Sequence, residues 1–172
     1  MKKIYLMVAL MAAMLVQKTF AQTTDVTGLQ LVISSYLSVK NALTKDNGAE
    51  VRAAAKTLFE AIQNVPMDKL VVSQHKVWME YNAKLSYDAE HIKGTDELEH
   101  QREHFSKLSL NFYKMLQTLN ANSMDLYYQF CPMANDGKGA YWVSENEAIT
   151  NPYMGRKMLK CGSTKETLQA KE

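Results

Sequence analysis

The chain has 172 residues, 22% charged and 47% hydrophobic, and its 20 Lys and Arg nearly balance its 18 Asp and Glu. Basic and acidic residues are interspersed, so there is no cationic stripe to track a nucleic-acid backbone. The two cysteines are an even count that allows one disulfide, and the length suits one domain with one core.

The opening, MKKIYLMVALMAAMLVQKTFAQ, has Lys2 and Lys3, an apolar run from Ile4 to Val16, and Ala21 closing Thr19-Phe20-Ala21. That is the layout of a secretory signal peptide over 1–21. The run is shorter than the ~20 apolar residues of a spanning helix. The expectation is an exported, periplasmic protein with no membrane insertion after cleavage and one mature domain over 22–172. Without Lys2, Lys3 and Lys18, 17 basic residues face 18 acidic ones, a net charge of −1.

Helical periodicity begins at Val26 and runs to Thr44, with Leu29, Val32, Ile33, Tyr36 and Leu43 on one face, until KDNG (45–48) breaks it. Val51, Ala54, Ala55, Leu58, Phe59 and Ile62 form a second stripe that ends at NVP (64–66), where proline stops a helix. A third helix is predicted from Met67 to Ile92, with Val71, His75, Trp78, Met79, Asn82, Leu85 and Ala89 inward and Gly94 as its stop. Thr95 can cap a fourth, whose stripe is Leu98, Phe105, Leu108, Phe112, Met115, Leu116 and Leu119. Short connections between amphipathic helices favour antiparallel neighbours, so residues 22–122 read as an up-down four-helix bundle in a mainly α protein.

Within the fourth helix, HQREHF (100–105) contains H-x-x-E-H. Two imidazoles at i and i+4 share a helical face and can share a zinc ion, with the intervening carboxylate polarising a bound water. His100 falls away from the apolar stripe, however, and His104 only borders it. A zinc metalloprotease also needs a third ligand, a substrate cleft and more chain than follows. The expectation is therefore a non-enzymatic protein, with the metalloprotease as an alternative.

The remaining segment, 123–172, is rich in Cys, Met, Tyr, Gly and Pro. Leu126–Phe130 and Ala140–Ser144 read as two strands of a hairpin around the turn NDGKG (135–139). Asn151-Pro152 can open a short helix over 152–160, and Gly162 can stop it. In that helix Met154, Met158 and Cys161 would share one face, and Cys131 and Met133 would project to one side of a strand. Thiolates and thioethers together select Cu(I), with zinc next if imidazole joins. Alternatively, Cys131 and Cys161 form a disulfide closing 31 residues, worth roughly 3 to 4 kcal/mol. His75 can likewise be a hydrogen-bonded core residue, and His91 a complement to its helix dipole.

Four segments, CPMANDGKGAYWVS (131–144), NPYMGRKMLKCG (151–162), HIKGTDELEHQREHFSKLS (91–109) and HKVWM (75–79), resemble an uncharacterised exported bacterial family, domain of unknown function three-three-four-seven. A similar module ends periplasmic adaptor subunits of copper and silver efflux pumps. The resemblance implies a heavy-metal context, with Cys131, Met133, Met158 and Cys161 as matching sulfur positions and His75, His91 and His104 as helical contributors. Met154 departs from the family, which more often has an aromatic residue there. The sequence thus predicts an exported Cu(I)-handling protein with a periplasmic efflux adaptor or a metal donor or acceptor as partner. The competing reading is a disulfide-stabilised helical interaction module that binds no metal.

Overall fold

The computed structural model describes residues 26–119 and 121–170, with the side chains of Val26 and Thr27 left aside; the predicted signal segment lies outside them. Four helices come first: α1 (Val26–Leu43), α2 (Gly48–Gln63), α3 (Val72–Lys93) and α4 (Leu98–Leu119). Each packs on the one before it, as the short connections require. The predicted stripe of α2 is buried at Val51, Ala55, Leu58 and Ile62, and that of α4 at Phe105, Leu108, Phe112, Met115 and Leu116. Asn47 opens α2 by accepting the Glu50 amide on its side chain at 3.2 Å. Thr95 accepts the Glu97 amide just ahead of α4. Among the described residues no helix is long and apolar enough to cross a membrane.

Three strands follow, β1 (Leu126–Cys131), β2 (Ala140–Ser144) and β3 (Ser163–Leu168), in an antiparallel sheet of order β2-β1-β3. The predicted hairpin is present, with Cys131 opposite Ala140 and positive φ at Asn135, Asp136, Gly137 and Gly139 in its turn. The sheet lies on the bundle through β2, which contacts α4 and α1. One core cluster therefore runs from Leu29 to Tyr153 and includes Trp142 and Val143 of β2.

Three expectations need correction. The third helix starts only at Val72, after a single 3-10 turn at Met67–Lys69, and its inward face is Trp78, Tyr81, Leu85, Asp88, Ala89 and Ile92. Val71, His75 and Met79 lie outside that face and are exposed. The helix expected over 152–160 does not form. Asn151 Oδ1 does accept the Tyr153 and Met154 amides, but Gly155 turns to φ +52° and only Gly155–Lys157 form a 3-10 turn. Lastly, the hairpin gains a third strand. Its sequence STKETL is exposed at five of six positions, so it carries no hydrophobic alternation by which to be read.

Candidate metal centre

The short link 94–97 folds the end of α3 against the start of α4. His91, one turn after Tyr87, then faces His100 and His104, which are one turn apart on α4. One ligating nitrogen from each of the three rings lies within 4.8 Å of the other two. The rings of His91 and His104 stack with centroids 4.3 Å apart and planes 7° from parallel. His100 approaches His104 to 4.8 Å, and Tyr87 leans on His91 at 4.5 Å.

The innermost ring is held from behind. His104 is buried, and its Nδ1 lies 2.9 Å from Oδ1 of the buried Asp88. A carboxylate on Nδ1 favours the tautomer whose Nε2 lone pair is free for a metal, and it fixes the ring's orientation. Burial pushes the Asp88 carboxyl above its ordinary range, against the opposing pull of His104. A cation beside that pair would favour the ionised carboxylate. Tetrahedral zinc ligation near 2.05 Å places nitrogens roughly 3.3 Å apart, so modest ring rotations would close this triad on an ion. A surface hollow of about 330 Å³, lined by Tyr87, Glu90, His91, Gly94, Thr95 and His100, adjoins two of the three imidazoles.

Glu103, the carboxylate of H-x-x-E-H, bonds Lys107 at 2.8 Å on the solvent side. That hydrogen bond holds its carboxyl below the usual range. His75 stands apart: sixteen residues of helix separate it from His91, about 24 Å at 1.5 Å per residue.

The sulfur residues gather elsewhere. Because Phe130 pairs with Ser163 in antiparallel register, Cys131 falls opposite the Cys161-Gly162 step. The two thiols are free, and they lie close enough that Cys131 acts on the ionisation of Cys161. The neighbouring Cys131 thiol, with burial adding to it, raises the Cys161 thiol above its ordinary value. Met158 contributes its carbonyl to the Cys161 amide at 3.0 Å and is half-buried. The Met133 side chain is exposed, and with Met154 it lines a cleft of about 870 Å³ against α4. Arg102, whose Nε bonds the Pro152 carbonyl, marks the face of α4 that meets this segment. It lies about 160° around the helix from both His100 and His104. Imidazoles and sulfurs thus occupy opposite sides of α4.

Of the residues singled out in the sequence, His91 and His104 converge, Cys131 and Cys161 converge, and His75 joins neither group. Sequence reasoning set His100 aside as a ligand because it leaves the apolar stripe, although its i,i+4 spacing to His104 was a sufficient signal. Asp88 was missed altogether. A family model described as "Protein of unknown function (DUF3347)" matches residues 32–124, which carry all three imidazoles and Asp88. No curated protein and no solved structure matches the chain.

Proposed function

The chain belongs to the DUF3347 family, and from that premise we propose a metal-binding protein that holds one borderline divalent cation between His91, His100 and His104. The observation that carries the reading is the convergence of three imidazole nitrogens within 4.8 Å, with Asp88 bracing the buried ring. Imidazole suits copper and zinc, and the ordinary affinity order favours Cu(II) over Zn(II). The role is handling rather than catalysis. With three protein ligands and a surface hollow beside two of them, a ligand from a donor or acceptor protein can enter before the imidazoles let go. The signal-like opening and the resemblance to a module of copper and silver efflux adaptors support an exported, periplasmic setting and a partner of that kind.

A zinc hydrolase is the second reading, favoured by the third imidazole that H-x-x-E-H alone lacks. Against it, Glu103 is already engaged by Lys107.

Titration of the metal-free protein with Cu(II) and Zn(II) against a chelator tests the proposal. One equivalent should bind, the Cu(II) spectrum should carry nitrogen hyperfine structure, and His100→Ala should remove the site without unfolding the protein. Undiminished binding after His91, His100 and His104 are all replaced by Ala would overturn it. Protons compete for the imidazoles, so affinity should also fall as pH is lowered.

A further inference from the structure

The contact between Cys131 and Cys161 is built by several independent constraints. Cys131 is fully buried at the end of β1. Cys161 is held by its backbone, with its amide on Met158 and its carbonyl accepting from Asn151 Nδ2 at 2.8 Å. Asn151 is itself fully buried, and its amide bonds the Leu159 carbonyl, so the whole 151–161 loop is clamped around this one side chain. Gly162 follows at φ +140°, where an added Cβ would lie 2.9 Å from both the Phe130 carbonyl and the Trp142 ring. The loop can therefore approach β1 only with glycine at that point, and the approach brings the sulfurs together.

We propose that Cys131 and Cys161 form a second metal site, independent of the imidazole reading, that takes a soft monovalent cation such as Cu(I) or Ag(I) between two thiolates. On binding, each thiol gives up its proton to solvent and each sulfur donates one bond to the metal, with no change of oxidation state. Softness selects the ion, since thiolates prefer Cu(I) to the harder divalent ions. Burial of Cys131 favours it too. A monovalent ion between two thiolates leaves one net negative charge, and the Met133 backbone favours negative charge on the Cys161 sulfur. No imidazole belongs to this site, because those rings lie across α4.

The test uses the full chain, reduced and without oxygen, loaded with Cu(I) and challenged with a colourless-to-coloured Cu(I) chelator; Ag(I) serves as the air-stable probe. Wild type should retain one equivalent with thiolate-to-copper charge-transfer absorption. The His91→Ala/His100→Ala double variant should retain the same amount. Cys161→Ser should retain none while keeping its helical circular dichroism, and Cys131→Ser should match it if the buried hydroxyl is tolerated. Complete release of Cu(I) by reduced wild type, which is expected if the pair serves only as a disulfide, would refute the proposal, as would retention by Cys161→Ser. Cys161→Ser should still bind the divalent ion, so the two sites stand or fall separately.

Discussion

At the scale of single residues, Asp88 separates stability from metal affinity. Burial raises its folded-state pKa, so by linkage its contribution is complete below the unfolded carboxylate range and is lost as pH rises through the raised value. Near neutral pH the ionised group is therefore a cost to the apo protein. Asp88→Asn keeps the shape and an acceptor for His104, and should leave the apo protein at least as stable at pH 7, as read by urea denaturation. The same change should weaken metal binding by roughly 10- to 100-fold, because it removes the charge that orients and strengthens the ligand. Glu103 differs, since it pairs with Lys107 in solvent. Glu103→Gln should leave metal affinity unchanged, and a loss measured by chelator competition would place that carboxylate in the site.

At the scale of elements, Asp46 latches the α1–α2 corner to the C-terminal segment. Its carboxylate accepts the Arg156 amide at 2.9 Å and pairs with Arg102, which also bonds the Leu43 and Pro152 carbonyls. Burial pushes the Asp46 carboxyl up, but the Arg156 amide and Arg102 outweigh it and hold it below the ordinary range. That stability is present above the unfolded carboxylate pKa and is lost as pH falls through the depressed one. Asp46→Asn suits the residue's φ of +55° and should cost about 1 to 2 kcal/mol near neutrality. The gap from wild type should close in acid, which denaturation across a pH series would follow. Gly155→Ala attacks the latch from the other side. Its Cβ would sit 1.9 Å from Asp46 Oδ1 at φ +52°, and a loss of more than about 1 kcal/mol is expected in the same assay.

At the scale of the whole molecule, bundle and sheet share one core. Tyr36 of α1 stacks on Phe112 at 3.9 Å, while its hydroxyl bonds Ser109 and accepts the Val143 amide of β2 at 3.1 Å. The fully buried Lys40 pairs with Glu145 at 2.7 Å just beyond β2. A chain ending at residue 124 would leave that lysine without its carboxylate and strip cover from Phe105 and Tyr36. It should lose cooperative thermal unfolding although all four helical sequences remain. Helices α1, α2 and α4 and the β1–β2 hairpin were legible in the sequence because their apolar spacing, turn residues and caps lie within a few residues of each other. The same locality made His100 and His104 visible as a pair. Other features depended on distant partners. Asp46, more than a hundred residues away, captures the Gly155-Arg156 step and stops the predicted helix. The polar strand β3 is ordered by pairing with β1 and by no pattern of its own. The exposure of His75 followed from which face of α3 is buried. By itself the sequence determined helices α1, α2 and α4, the hairpin and the residue types capable of holding metal, since propensity and periodicity act along the chain. Only the tertiary structure decided that His91 completes an imidazole triad and that the cysteines form a separate pair, because convergence is set by which elements pack and in what register.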